Sequence, residues 1–288
     1  MIPSLSMTII LFGASGMLGS DIEKYLTKKN ISIISLDSTS CDITDKNKVL
    51  SIIAEYPKSS IVINCAAYTN VDKAETDKKQ AKRINTIGAQ HIAEACKLHH
   101  KTLIHFSTDY VFNGNKTDPY IESDPPSPIS HYGHTKYEAE QVIQSICTKY
   151  YIIRVQWLYG KNGQHFIKSM KRLFKQHESL RIVNDQWGSP TSTASLAQYI
   201  HTFITKKPSY GVYHCRNDGY TTWYDFAVFL AQQFQYKGSI TPIPSTQFPR
   251  PAKRPLNGRL NIDKITQTLQ IKPIPWKEAV LRYINSAK

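Results

Sequence analysis

Tyr132 and Lys136 stand four residues apart in "ISHYGHTKYEAE", Ile129 to Glu140. Four residues is about one helical turn, so on a helix the phenol and the ammonium share a face. Such a pair is common on helix surfaces. It becomes chemistry when a carbonyl and a hydride donor are brought to it. A phenol of ordinary pKa near 10 is a poor proton donor unless its anion is stabilised, and each unit of lowering is worth about 1.4 kcal/mol. A partly desolvated lysine charge supplies that stabilisation. The stretch "HFSTDYVFNG" adds Ser107, Thr108 and Asp109 at the end of an apolar run. By itself it reads as a polar strand end. Beside Tyr132 and Lys136, the Thr108 hydroxyl can hold a substrate oxygen, which completes the set that ketone reduction needs.

The hydride donor has its own signature. "GASGMLGS" spaces Gly13, Gly16 and Gly19 as G-x-x-G-x-x-G, directly after an apolar run and before helical spacing. In that context glycine lets the backbone approach a pyrophosphate, and the helix N-terminus favours its charge. Asp37 ends the next apolar run, eighteen residues beyond Gly19, where an acid accepts ribose hydroxyls. Asp37 favours NADH; Ser38 or Thr39 could receive a 2′-phosphate if Asp37 turned away, so NADPH stays open. Asp42 reads equally as an acceptor for an adenine amino group and as an Asx turn. Ala66 and Ala67, in "NCAAYTN", are small residues at a strand's carboxyl end, where a dinucleotide can cross the sheet edge.

These groups must be positioned by a repeating frame. "MTIILFG", "ISIISLD", "SIVINCAA", "KTLIHFS" and "YYIIRVQWLYG" read as strands, and the segments between them as helices. The longest, "ETDKKQAKRINTIGAQHIAEACKLHH", carries Ile84, Ile87, Ile92 and Ala95 along one side. This alternation predicts an α/β fold, a Rossmann-type doubly wound parallel sheet. After about residue 158 the pattern turns irregular, with helices at "HFIKSMKRLFKQ", "TSTASLAQYIHTFI" and "TTWYDFAVFLAQQF" and a proline-rich, aperiodic "ITPIPSTQFPRPAKRP". The expected division is an NAD(P)-binding domain over 1–157 and a smaller mixed α+β substrate domain over 158–288, with about 187–205 packing back on the first.

Composition narrows the class. With 288 residues, 41% hydrophobic and 20% charged, the chain is globular and long enough for a large core. No apolar run approaches the ~18 residues of a membrane span. The first six residues read as a loose tail without signal-peptide character, and Met7 could be the biological start. Five scattered cysteines without a C-x-x-C pair suit a reduced, cytoplasmic chain without zinc. The net charge of +14 is spread in pairs such as Lys28-Lys29 and Lys253-Arg254, which argues against nucleic acid and is compatible with anionic small ligands.

Taken in order, "GASGMLGS", "NCAAYTNVDKAE", "STDYVFNG", "YGHTKYEAE", "RVQWLYG", "DQWGSPT" and "RPLNGRL" resemble the dTDP-4-dehydrorhamnose reductases. These form a branch of the extended short-chain dehydrogenase/reductase superfamily, and the resemblance runs from about Thr8 to the last helix. Y-x-x-x-K alone marks only the superfamily; with "STDYVF" and DQ-x-G-x-P-T it marks the branch. The resemblance implies NADPH- or NADH-dependent reduction of the 4-keto group of a dTDP-linked sugar, dTDP-4-dehydro-L-rhamnose, to dTDP-L-rhamnose, a donor for surface polysaccharide. It implies that Tyr132 is the proton donor, Lys136 its partner and a holder of the nicotinamide ribose, and Thr108 the hydroxyl that tunes them. Asp109 and Tyr110 become substrate-side neighbours and Trp157 a sugar contact. Met17, Leu18, Asp37, Asp42, Ile43, Ala67 and Thr69 become cofactor contacts. Arg250, Lys253 and Arg254 read equally as pyrophosphate partners and as solvated charges. Some relatives are magnesium-bridged dimers; a homodimer is compatible here, but no carboxylate cluster calls for the metal. The chain departs from the family at Val155-Gln156, at His165 and at Gly258. Those positions leave open another nucleotide-linked keto-deoxysugar, handled by a reductase or an epimerase with the same Tyr/Lys pair. A non-catalytic regulatory relative, like the beta subunit of methionine adenosyltransferase, is the further alternative.

Overall fold

The computed structural model describes residues 8–286, so the readings of the first six residues and of Met7 lie outside it. The first half alternates as expected. Strands β1 (Thr8–Phe12), β2 (Ser32–Leu36), β3 (Ile61–Asn64), β4 (Thr102–Thr108) and β5 (Tyr150–Val155) alternate with helices α1 (Met17–Lys28), α2 (Lys46–Glu55), α3 (Lys78–Lys82), α4 (Ala89–Leu98) and α5 (His131–Ile146). β1, β3, β4 and β5 are short apolar runs buried on both faces, the pattern of a parallel sheet covered by helices, while β2 at the sheet edge is largely half-exposed.

The second half carries β6 (Leu158–Tyr159), α6 (Phe166–Gln176), β7 (Ser179–Val183), β8 (Trp187–Gly188), β9 (Thr191–Ser192), α7 (Thr193–Lys206) and β10 (Gly211–His214). It ends with β11 (Thr221–Thr222), α8 (Trp223–Gln233), β12 (Ser239–Ile243), α9 (Asp263–Leu269) and α10 (Trp276–Ser286). The main sheet is six-stranded and parallel, in the order β10-β5-β4-β3-β1-β2. The winding reverses between β1 and β3, so a crevice opens at their carboxyl ends, where open α/β sheets take ligands. One apolar layer, with Ile22, Leu26, Leu196 and Phe203, packs α1 and α7 on one face; the other, with Val49, Ile92 and Ile143, packs α2, α4 and α5. A separate cluster around Phe226, Leu230, Trp276 and Val280 builds the smaller lobe.

Three elements differ from the sequence reading. The long helix is interrupted by a π segment, Arg83–Gly88, whose extra residue rotates α4 by about 100° relative to α3. Ile84 and Ile92 therefore face the core while Ile87 is 39% exposed. "YYIIRVQWLYG" is not one strand: Trp157 has φ +46°, which breaks the extended run and sends β6 to pair with β9. "ITPIP" is not aperiodic loop but β12, parallel to β7; in a two-stranded ribbon both strands are edges, where proline is tolerated. In addition β10, read with the second half, completes the main sheet beside β5.

Candidate active site

The glycine turn closes on β3. Gly13 has φ +74°, and a Cβ there would stand 2.5 Å from the Ala66 nitrogen. A Cβ on Gly19 would stand 2.1 Å from the Gly13 carbonyl oxygen, so α1 lies against the turn as closely as backbone allows. Gly16 caps α1 without a side chain, and the first helical hydrogen bond runs from Ser20 N–H to Gly16 C=O. The N–H groups of Met17, Leu18 and Gly19 are thus left free of intrahelical partners, a ready anion cradle at the head of a twelve-residue helix. Leu18 is buried in the core, and Met17 lies beneath Gly160 and Gly163.

Asp37 follows β2. Its Oδ1 accepts from the N–H groups of Thr39 (3.0 Å) and Ser40 (3.0 Å) and from the Thr39 hydroxyl (2.7 Å). Those bonds, the Thr39 hydroxyl foremost, hold its carboxyl down at about 2. Asp42 forms the Asx turn, its Oδ1 accepting from Thr44 N–H at 2.9 Å. Ile43 is buried, with its carbonyl bonded to His91 Nδ1. Ala66 and Ala67 are half-buried at the end of β3, and Thr69 is exposed.

The reactive pair rides on α5, whose start is held twice. Ser130 Oγ accepts from Gly133 N–H at 3.2 Å, and Glu75 Oε1 accepts from His131 N–H at 2.8 Å. Gly133 has no room for a Cβ, which would stand 2.2 Å from the Tyr110 carbonyl, so α5 presses on the end of β4. Tyr132 packs edge-on against Tyr110, with ring centroids 5.7 Å apart. Burial pushes its phenol up to about 12; the Thr108 hydroxyl works against that shift and Asp109 with it. Thr108 donates to Asp109 Oδ1 at 3.1 Å, and burial raises the Asp109 carboxyl to about 7. Lys136, 2% exposed, donates to the Phe106 carbonyl at 2.6 Å and meets His105 Nε2 at 3.2 Å. Burial lowers its ammonium to about 8.

Across the mouth, Asp109, Tyr110, Trp157, Gln186, Trp187, Trp223, Arg254 and Pro255 line one small cleft. Trp157 stacks on Trp223 with ring centroids 3.5 Å apart, and Gly188 makes room for its ring. Gln156, 2% exposed, has an amide without a partner among the described residues. Arg254 grips Asp72 through both guanidinium nitrogens (3.1 and 3.0 Å), and Arg250 binds the same carboxylate at 2.5 Å. Burial works against ionisation of Asp72, but the two arginines hold its carboxyl at about 2. Arg250 is therefore an ion-pair partner of Asp72 at the cleft's rim, and Lys253 is exposed.

The structure thus brings Thr108, Asp109, Tyr110, Tyr132 and Lys136 together at the carboxyl edge, with Trp157 and Arg254 opposite. Asp72, Glu75, Asn64, His105, Trp187 and Trp223 were not singled out from sequence, although "VDKAE", "NCAAYT", "HFSTDYV", "DQWGSPT" and "TTWYDF" contain them. Their roles depend on partners distant in the chain. Gly258 fits its place closely. A Cβ there would stand 2.6 Å from Asp109 Oδ2, so glycine makes room for that carboxyl. Among the described residues, no group of three or more His, Cys, Asp or Glu could hold a metal, and no helix is long and apolar enough to cross a membrane.

A family model described as the RmlD substrate binding domain matches residues 7–288. The chain is 36% identical over 292 residues, 97% of each chain, to a dTDP-4-dehydrorhamnose reductase of Escherichia coli K12. It is 38% identical over 248 residues, 85% of each, to a dTDP-4-keto-6-deoxy-D-glucose reductase of Streptomyces niveus. Among solved structures, a dTDP-4-dehydrorhamnose reductase of Bacillus anthracis in complex with NADP superposes with a TM-score of 0.94 at 35% identity, covering 98% of this chain and 100% of that one.

Proposed function

The chain belongs to the RmlD substrate binding domain family, and from that premise we propose that it reduces the 4-keto group of dTDP-4-dehydro-L-rhamnose to give dTDP-L-rhamnose, using NADPH or NADH. The observation that carries this reading is one sheet edge holding both an uncapped α1 N-terminus behind a glycine turn and the Thr108, Tyr132, Lys136 set.

The residues fit a dinucleotide. Gly13, Gly16 and Gly19 leave no side chain between backbone and a pyrophosphate, and the N–H groups of Met17, Leu18 and Gly19 point to it. Asp37 keeps Oδ2 for a ribose hydroxyl, while Thr39 and Ser40 border the place of a 2′-phosphate. Asp42, Ile43, Ala66, Ala67 and Thr69 flank the adenine side and the sheet edge. When bound, the nicotinamide supplies hydride to the carbonyl carbon. Tyr132 supplies the proton: burial raises its phenol to about 12, so it holds that proton at neutral pH and gives it up only when a nearby positive charge stabilises the phenolate. Thr108 hydrogen-bonds the carbonyl oxygen. A charged Lys136, once drawn toward the ribose hydroxyls, lowers the phenol as its proton leaves. Asp109, Tyr110 and Trp157 face the sugar, and Arg254 the diphosphate.

Residues 8–157 with β10 and α7 form the cofactor-binding part in this reading, and α6, α8, α10 and their ribbons the substrate part. We infer a cytoplasmic enzyme, consistent with five free cysteines, that binds neither nucleic acid nor membrane, and a homodimer is compatible with this reading. A second reading, a reductase of another dTDP-linked keto-deoxysugar, is favoured by the Streptomyces niveus relative and by Gly258 beside Asp109. The test is oxidation of NADPH and NADH with dTDP-4-dehydro-L-rhamnose, run beside Tyr132→Phe. Loss of orders of magnitude in rate with cofactor binding kept supports the reading. An unchanged rate removes Tyr132 from the chemistry, and turnover without net NAD(P)H oxidation would indicate an epimerase.

A further inference from the structure

Behind Lys136 runs a row of buried polar groups that the reaction above does not use. Asn64 (2% exposed), His105 (1%) and Lys136 (2%) lie on one face of the sheet, and Asn64 and His105 are register partners across β3 and β4. Ala66 N–H donates to Asn64 Oδ1 at 3.0 Å. Asn64 therefore turns its amide N–H toward His105 Nδ1, 3.1 Å away. A neutral imidazole has one donor and one acceptor. Burial, and after it the Lys136 charge, hold His105 well below the ordinary histidine range, so its ring is neutral. With Nδ1 accepting, the proton sits on Nε2 and points at Lys136 Nζ, 3.2 Å away. An ammonium has three donors and no lone pair; an amine has a lone pair for that N–H and keeps a proton for the Phe106 carbonyl. Turning the Asn64 amide would set its N–H against that of Ala66, which moves the mismatch without removing it.

We propose that His105 is a positioning residue that sets the charge of Lys136: Asn64 fixes its proton on Nε2, so it meets the lysine nitrogen as a donor and favours the neutral amine until ligand oxygens draw the ammonium out. The other groups facing Lys136 do not supply a free negative charge to hold the ammonium. Glu140, one turn along α5, is committed to Arg154 through bonds of 2.9 and 2.6 Å. The Cys65 thiol, at the end of β3, is pushed far up by burial and stays protonated. Tyr132 carries a phenol that is itself protonated at neutral pH. The consequence rests on the reductase reading for the identity of the ligand. The ribose hydroxyls of the dinucleotide are the missing acceptors, so above about pH 8 Lys136 gains its proton when the cofactor is in place, and Tyr132 gains a charged neighbour at the same moment.

The cofactor-free protein provides the first test. Two-bond 15N–1H correlation of its histidines should show His105 protonated on Nε2 and bare on Nδ1; the opposite tautomer overturns the proposal, and no variant is needed. The 13Cε signal of Lys136, identified by its loss in Lys136→Met, should titrate about one pH unit or more higher in His105→Gln, whose amide can turn its oxygen to the ammonium. An unchanged or lower midpoint overturns it. At pH 9, NADPH binding should take up a proton in the native protein and at most half as much in His105→Gln; equal uptake overturns it. Failure of NADPH to bind at all would sink the reductase reading, while the two cofactor-free measurements would still decide this one.

Discussion

Asp109 is a buried carboxyl whose cost can be measured. It is 3% exposed, accepts from Thr108 Oγ1 at 3.1 Å, and is held at about 7 where an ordinary aspartate titrates near 3.8. Its folded pKa lies above its unfolded one, so the unfolded chain binds fewer protons between those values and stability falls as pH rises from about 4 through 7. Linkage puts the full loss at about 4 kcal/mol and the part lying between pH 5 and pH 8 at about 2–3 kcal/mol. Asp109→Asn keeps an oxygen for Thr108 and removes the titration. Urea unfolding of both proteins at pH 5 and pH 8 should show the native chain losing about 2–3 kcal/mol more than the variant over that interval. The buried histidines titrate in both proteins and cancel. Parallel losses would refute the placement of a titrating carboxyl at this position. Because ionised Asp109 also raises the Tyr132 phenol, the variant should lower the phenol's pKa, read as a shift in the pH profile of reduction.

Arg154→Met should cost about 3–5 kcal/mol in urea unfolding, because it strands Glu140, fully buried, without its partner; a loss below about 1 kcal/mol would contradict that. Gly19→Ala, with its methyl 2.1 Å from the Gly13 carbonyl oxygen, must lift α1 off the turn and weaken NADPH binding by about tenfold or more, about 1.4 kcal/mol, in a fluorescence titration. Native affinity would mean that the turn does not hold the dinucleotide. Asp72→Asn should free Arg250 and Arg254 and speed tryptic cleavage after Lys253; an unchanged digestion rate there would show that this carboxylate does not hold the segment down.

What the sequence by itself determined is local. Apolar runs closing on Gly13, Asp37, Asn64 and Thr108 specify the strands of a parallel sheet, and the glycine spacing specifies a strand–turn–helix that admits phosphate. The four-residue spacing of Tyr132 and Lys136 puts them on one helical face wherever that helix lies. The resemblance of the ordered motifs named the family. What only the tertiary structure decided is every pairing across long separations. Asp72 meets Arg254 across 182 residues, and His105 meets Lys136 across 31. Trp157 left its strand because φ +46° let it lie on Trp223. β10 joined the main sheet because β5 offered it an open edge. Periodicity and turn chemistry act within a turn or a strand, whereas burial, proton placement and ion pairing depend on which atoms the closed fold brings within about 3 Å. Lys136 was legible as a residue of the tyrosine–lysine pair. Its partners, and hence its charge, belong to the fold.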